Sequence, residues 1–278
     1  MPQTGTCYVV ATPIGNLGDL SPRAVEALKA CAVIAAEDTR RSRQLLTHFG
    51  VTGKDVVALH AHSSDRDVAR LVARLEAGDD VAVVTDAGTP VVSDPGESLV
   101  RAAIALGARV VPIPGASAVL AALAASGLGG GGFRFVGFLP RDARPRADAI
   151  ARLCAEPDAV VLFESPNRAR DTLAELAAAT PERSACVARE LTKLHEEFVR
   201  GSLADLAALE REWIGEITMV LGPHDPTSRE LRVDEASIDA RIDHELTVGT
   251  HPKRISELIA AWSGRPKREI YERVVRRK

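Results

Sequence analysis

Short apolar runs alternate along the first part of the chain with stretches in which apolar residues recur every three or four positions. Each run is only four or five residues long, and most are rich in valine and alanine, which predicts buried β-strands at Cys7–Ala11, Ala32–Ala36, Val56–Leu59, Val81–Val84 and Arg109–Ile113. The stretches between them predict helices at Pro22–Ala30, Arg40–Phe49, Asp67–Ala77 and Pro95–Leu106. Strands that alternate with helices are typical of a parallel or mixed α/β sheet.

A second α/β domain is predicted from residue 115 to 223, after a first domain at 1–114. It begins with a helix at Ser117–Ala125 and continues with strands at Phe133–Phe138, Ala159–Phe163, Ala185–Ala188, Glu196–Arg200 and Glu216–Leu221. The close spacing of the later strands favours antiparallel pairing. The glycine run Gly129–Gly132 between helix and strand is interpreted as a flexible loop, since no strand precedes it directly.

The last part of the chain consists of an acidic segment followed by a basic one. Residues 224–250 hold seven acidic against three basic residues and few large apolar ones, which predicts an acidic linker with a short helix. Residues 251–278 hold nine Lys or Arg against three Glu, and their periodicity predicts a basic helix–turn–helix-like tail. Such a tail suits RNA phosphates, with Lys253, Arg254, Lys267 and Arg268 as candidates, although a solvated pair of charged helices is the alternative.

Composition narrows the class of protein. With a net charge of −3, the protein is not basic overall as many nucleic-acid binders are, so any RNA contact must come from a local patch. Four cysteines occur singly, with no paired spacing for zinc, and the imidazoles of His60 and His62 lack a third ligand nearby. No metal is therefore expected, and the histidines are interpreted as contacts to RNA or to a cleft. No apolar run approaches the roughly 18 residues of a membrane span, so we expect a cytoplasmic protein without membrane contact.

Four loops carry the candidate chemistry, and each follows a predicted strand: Thr12–Leu17, Glu37–Arg41, Asp86–Pro90 and Pro112–Ser117. The carboxyl ends of strands in an open α/β sheet meet at one crevice, so we expect these loops to converge. Each loop taken alone also fits an ordinary turn or helix start. The third loop has the glycine of a phosphate loop but lacks its lysine, which points to a different ligand.

These loops carry recognisable motifs. TPIGNLGDL, AAEDTR, VTDAGTPVVSDPG, VPIPGASA, FES and ARELTK occur in this order between about Tyr8 and Pro223. Together they resemble the tetrapyrrole methylase family of S-adenosylmethionine-dependent enzymes, and within it the group that methylates ribosomal RNA. The resemblance implies a tetrapyrrole methylase-like fold of two α/β domains, with the methyl donor in the cleft between them and a small C-terminal helical extension. It also implies a homodimer.

The function implied by the resemblance is methyl transfer to the ribose 2′-hydroxyl of a cytidine in the decoding region of 16S ribosomal RNA, in the small ribosomal subunit. By resemblance the donor contacts are Pro13, Asp86, Ala87, Gly88, Pro90, Ser117, Ala118, Phe163 and Leu191. Candidates for the proton acceptor are Glu37, Asp38, Glu190 and Lys193, and Arg40 and Arg41 are expected to grip RNA phosphate. The second half of the third motif, Ser93–Gly96, is interpreted only as the start of the next helix.

Two other functions remain open from the sequence. One is a methyltransferase on the same fold that acts on a small, tetrapyrrole-like molecule. Binding of such a molecule would not need the basic tail. The other is a non-catalytic RNA-binding protein, which would not need the dense set of cleft loops.

Overall fold

The first sheet is built from five parallel strands. The computed structural model describes residues 4–60, 63–224, 235–263 and 265–277. The strands lie in the order β3-β2-β4-β1-β5. Their bounds are β1 Cys7–Val10, β2 Val33–Ala36, β3 Asp55–Ala58, β4 Val81–Val84 and β5 Val110–Ile113.

Helices cover both faces of this sheet, which explains why its central strands β2 and β4 carry no polar residue. The helices are α1 Pro22–Ala30, α2 Thr39–His48, α3 Asp65–Glu76 and α4 Glu97–Leu106. Ile34 of β2 packs with Leu28 and Leu46 of α1 and α2, whereas its neighbour Val33 packs with α3 and α4. Successive strand residues point to opposite faces, so a strand buried on both sides is apolar throughout.

The second sheet is mixed. Its strands are β6 Phe133–Phe138, β7 Ala159–Glu164, β8 Ser184–Arg189, β9 Glu197–Ser202 and β10 Ile217–Leu221, in the order β6-β7-β10-β8-β9. Only β6 and β7 are parallel, and the antiparallel pairing predicted for the later strands is present. One face packs on α5 Ala118–Ser126, and the other packs on α6 Ala143–Ala155, α7 Pro166–Ala179 and α8 Leu203–Ala207.

The C-terminal part is a cluster of three helices. They are α9 Glu235–Thr247, α10 Pro252–Ser263 and α11 Lys267–Arg277. The sequence predicts a linker with a short helix before the tail, but the helix has 13 residues and packs against the tail. The few large apolar residues of α9 are Ile238, Ile242 and Leu246, each one turn after the last; the two isoleucines are fully buried and Leu246 packs against them. A few apolar residues are therefore enough to pack α9 against the other two helices, because all of them lie on one face of the helix.

Acidic and basic residues lie on different helices of this cluster. The acidic helix α9 faces the basic helix α11, and Asp239 pairs with both Arg273 and Arg277. Of the predicted RNA contacts, Lys267 lies 2.7 Å from Glu257 and Arg268 lies 3.2 Å from Glu272. Arg254 lies 3.7 Å from Glu257 as well. Exposed ion pairs of this kind are worth little, about 0–1 kcal/mol, so phosphate can compete for these cations.

Two further properties concern the whole described part of the chain. None of its helices is long and apolar enough to cross a membrane. The four cysteines are free, and Cys7, Cys31 and Cys186 are buried. Burial raises the pKa of the Cys7 thiol to about 11, so this residue behaves as a small apolar side chain.

A candidate active site in the cleft between the domains

The loops that follow β1 and β4 are joined through their backbones. Thr12 and Gly88 form an isolated antiparallel bridge, with N–H to C=O distances of 2.9 and 3.0 Å. The Thr12 hydroxyl also donates to the carbonyl of Thr85 at 3.1 Å. The loop before α5 joins them, because the Thr89 hydroxyl donates to the Ala116 carbonyl at 3.3 Å. These predicted loops therefore converge at one edge of the sheet.

The first loop also contacts the second domain. A Cβ placed on Gly15 would lie 2.5 Å from Cγ of Lys193, 2.9 Å from Oγ1 of Thr192 and 3.1 Å from the Leu191 carbonyl oxygen. Real Cβ atoms essentially never come so close to other atoms, so this contact requires glycine. The TPIGN and ARELTK motifs thus meet across the cleft.

A first cavity of about 390 Å³ opens in this cleft. Its walls come from both domains and include five of the nine predicted donor contacts, which are Ala87, Gly88, Ser117, Ala118 and Phe163. The volume lies within the usual range for small-molecule sites, roughly 300–1,000 Å³.

Three chemical features line the first cavity. The rings of Phe138 and Phe163 lie with their centroids 5.6 Å apart and provide an apolar wall. The first turn of α5 lies at another wall, where helix N–H groups favour an anion such as a carboxylate. The carboxyl group of Asp94 lines the cavity from the loop before α4. Together they suit a ligand with an aromatic ring, a carboxylate and a positive charge.

Asp94 is held in the cavity by an unusual backbone. Val91 and Ser93 have φ of 74° and 64°, which L-residues other than glycine seldom adopt. The sequence predicts that Ser93–Gly96 starts a helix, but α4 begins at Glu97 and its N-cap Gly96 makes no side-chain cap. Burial and the charge of Glu37 raise the pKa of Asp94 to about 6.

A second cavity of about 420 Å³ lies beside the first. Its lining includes the polar side chains of Arg41, Gln44 and His48 from α2, together with Asp86. Three residues line both cavities: Ile14, Ala87 and Glu216. The two cavities therefore share a wall.

The remaining predicted donor contacts lie elsewhere. Pro13 and Asp86 line the second cavity, whereas Pro90 and Leu191 are buried and belong to neither of the described linings. Gly88 borders the first cavity, but both its backbone N–H and its C=O are used by Thr12. Its positive φ of 84° shapes the turn, so its contribution is geometric and not a free polar group.

The four predicted proton acceptors surround the cleft, and none appears in the described linings of the two cavities. Glu37 accepts hydrogen bonds from the Thr85 hydroxyl at 2.6 Å and from the Asp86 amide at 3.3 Å. Asp38 caps α2 and pairs with Arg40, whose hydrogen bonds lower the pKa of Asp38 to about 2.

Glu190 and Lys193 form an ion pair of 2.8 Å, and Lys193 also lies 3.0 Å from Glu216. The hydrogen bond from Lys193 lowers the pKa of Glu190. Burial alone would lower the pKa of Lys193, but the hydrogen bonds to Glu190 and Glu216 outweigh it, so the pKa of Lys193 is raised. The role of proton acceptor stays a prediction for all four residues.

Several lining residues are not found by the sequence reasoning. Asp94 sits in a stretch that resembles a helix start, and Glu216 has a side chain that is 73% exposed at the beginning of a strand. Gln44 and His48 look like the ordinary polar face of a helix. Phe138 ends the predicted strand Phe133–Phe138, and its position in the sequence does not indicate that its side chain is exposed at the cavity.

Metal binding has no support in the described residues, where no group of three or more His, Cys, Asp or Glu side chains could hold an ion. His60 follows β3, but Ala61 and His62 lie outside the described residues, so the predicted histidine pair cannot be placed.

Two α/β sheets with a cavity of ligand size between them define a class, the two-domain α/β proteins that bind a small molecule in a cleft. Residues 6–207 match the tetrapyrrole (corrin/porphyrin) methylases, which is more than half of the chain. The chain therefore belongs to the tetrapyrrole methylase family, as its motifs predict.

Relatives in this family include several proteins called ribosomal RNA small subunit methyltransferase I. The one from Xylella fastidiosa is 43% identical over 98% of this chain and 99% of its own length. Those from Synechocystis sp. and Pseudomonas aeruginosa are 41% and 40% identical, over 96% and 98% of this chain and of their own lengths.

Solved structures confirm the predicted fold. Uroporphyrin-III C-methyltransferase from Thermus thermophilus aligns with a TM-score of 0.55 and 21% identity, over 78% of this chain and 97% of its own. A diphthine synthase aligns with a TM-score of 0.60 and 18% identity, over 82% and 95% of the two chains.

Replacement of Gly15 tests the contact across the cleft. We expect Gly15→Ala to lower the free energy of unfolding by about 1–3 kcal/mol, because its Cβ overlaps Lys193 and the backbone of Leu191. Thermal unfolding measures the change. Gly131→Ala is the matched control, since no atom lies within 4 Å of its Cβ. Equal melting temperatures for the two variants would contradict the contact.

Asp94 predicts a pH dependence of stability. Its pKa is raised from 3.8 to about 6, so the fold favours the neutral carboxyl and loses stability as the pH rises through this range. Relative to Asp94→Asn, the wild-type protein should lose about 1–3 kcal/mol between pH 4 and pH 7, since one pKa unit corresponds to about 1.4 kcal/mol. Chemical denaturation of both proteins at each pH measures this, and a constant difference would rule it out.

Proposed function

We propose that this protein transfers a methyl group from S-adenosylmethionine to the ribose 2′-hydroxyl of a cytidine in 16S ribosomal RNA. The observation that carries the proposal is the pair of adjoining cavities in the cleft, in a chain whose relatives are named for methylation of small-subunit ribosomal RNA. One cavity suits a small donor and the other opens onto a helix rich in arginine.

The first cavity fits the donor group by group. The rings of Phe138 and Phe163 suit the adenine, and the first turn of α5 suits the carboxylate of the amino-acid end. The carboxyl of Asp94 suits the positively charged part of the donor. No phosphate has to be bound, which agrees with the absence of a lysine in the loop Asp86–Pro90.

The donor supplies an electrophilic methyl carbon on a sulfonium. During transfer the 2′-oxygen forms a bond to this carbon while the carbon–sulfur bond breaks and its electron pair stays on sulfur. The hydroxyl proton must go to a base. This chain contributes mainly alignment of the two reactants where the cavities adjoin, beside Ile14, Ala87 and Glu216, and alignment can supply up to about 7–11 kcal/mol.

Asp86 is the best placed base. Its carboxylate lines the second cavity, accepts the Asp38 amide at 3.1 Å and lies 3.4 Å from a guanidinium nitrogen of Arg41. Burial raises the pKa of Asp86, and the nearby charge of Glu37 adds to the rise. A pKa closer to neutral makes a carboxylate a better proton acceptor.

Replacement of this base should change the pH profile. We expect Asp86→Asn to lower kcat by about 10²–10⁴-fold and to remove the acidic limb of the wild-type profile, on which the rate falls as the base becomes protonated. Donor affinity, measured by calorimetry, should stay unchanged. If the variant keeps the wild-type pH profile, Asp86 is not the base.

Methylation of ribosomal RNA tests the proposed function directly. Small subunits from cells that lack the gene should gain one 2′-O-methylcytidine when they are incubated with the protein and labelled S-adenosylmethionine. Mass spectrometry of nuclease fragments locates the modification. Deletion of residues 251–278 should weaken binding to these subunits in a salt-dependent way and spare donor binding, because the tail supplies cations and the cleft binds the donor.

The alternatives predict different results. Transfer to a tetrapyrrole and not to RNA would favour a small-molecule methyltransferase. Binding to RNA without heat of donor binding would favour a non-catalytic protein. The homodimer and the cytoplasmic location stay predictions.

A further inference from the structure

The second cavity lies where an acceptor must lie relative to the donor. It shares the lining residues Ile14, Ala87 and Glu216 with the first cavity, so the two cavities adjoin and a group bound in the second lies next to the donor. Its volume of about 420 Å³ is also within the range of small-molecule sites. The second cavity can therefore hold a group of the size of one nucleotide.

The polar lining comes mainly from one face of α2. Arg41, Gln44 and His48 are spaced three and four residues apart, so they form a row along the helix and all reach the cavity. All three are exposed. None is needed to hold α2 in place, because the helix is anchored by the buried Ser42 and Leu46.

The chemistry of this row matches a nucleotide. The guanidinium of Arg41 is 68% exposed and lies 3.4 Å from Asp86, so a phosphate can displace this weak pair. The amide of Gln44 offers one acceptor and two donors, which suits the edge of a base. The imidazole of His48 offers a flat ring on which a base can stack. Arg40 and Arg43 extend the basic face beyond the cavity.

We propose that the second cavity binds a single unstacked nucleotide of the RNA substrate, with Arg41, Gln44 and His48 as its recognition residues. The inference rests on the proposed function and deepens it, because it assigns the acceptor site. A ribose 2′-hydroxyl inside a folded RNA reaches an enclosed cleft only when its nucleotide is turned out of the stack. The base and its phosphate then hold the ribose where the two cavities adjoin, next to the donor.

Truncation of the row tests the assignment. Gln44→Ala and His48→Ala should each lower kcat/KM for small subunits by about tenfold, which corresponds to the loss of about 1.4 kcal/mol of acceptor binding. Donor affinity measured by calorimetry should change by less than about twofold, a difference of under about 0.5 kcal/mol. Thr47→Ala is the matched control, because it is an exposed residue of the same helix that does not belong to the described lining.

Filling the second cavity with a larger side chain gives a second test of the assignment, which does not depend on the loss of hydrogen bonds. Gln44→Trp places an indole in the cavity from an exposed position, so the fold should tolerate it. Methyl transfer should fall at least a hundredfold, while calorimetry should still show donor binding of wild-type strength.

The outcomes separate this inference from the proposed function. If wild-type protein methylates the subunits and the Gln44 and His48 variants do so equally well, the acceptor lies elsewhere and only the inference fails. If wild-type protein methylates no RNA, the proposed function fails. If the variants lose donor binding together with activity, the second cavity belongs to the donor site and the inference is wrong.

Discussion

The paired backbones of Thr12 and Gly88 are the constraint on which the site depends. Two hydrogen bonds of 2.9 and 3.0 Å join loops that are 76 residues apart and belong to adjacent strands of the sheet. They hold the shared wall of the two cavities in place, because Ile14 and Ala87 lie within two residues of this bridge in the chain.

Backbone strain is concentrated on the two sides of this wall. Val91 and Ser93 have positive φ in the first domain, and Glu190 and Thr192 have positive φ in the second. Such residues cost about 1–3 kcal/mol each and persist only where the surrounding structure determines them. Val91 and Ser93 lie in the loop that brings Asp94 to the first cavity, and Glu190 pairs with Lys193 in the loop after β8. The strain therefore positions charged groups at the cleft.

The sequence predicts those features that depend on local pattern. Strands buried on both faces, such as β2 and β4, are apolar throughout and can be recognised alone, and the convergence of their loops follows from parallel topology. Features that depend on distant partners are missed. The packing of α9 depends on two isoleucines that become buried only when α10 and α11 pack against them. The orientation of Asp94 depends on the positive φ angles of Val91 and Ser93, which cannot be read from the motif. The roles of Gln44 and His48 depend on a cavity formed by other elements.

The charge distribution explains how a protein of net charge −3 can act on RNA. Closely spaced basic residues occur in α2 and in the tail, and most of those in the tail are already paired with carboxylates. Because exposed pairs are weak, a phosphate can replace a carboxylate at little cost, yet unspecific attraction to nucleic acid stays low. Such a surface binds RNA only where several phosphates match it at once. The proposed binding of one nucleotide in the second cavity would add a selectivity that bulk charge does not provide.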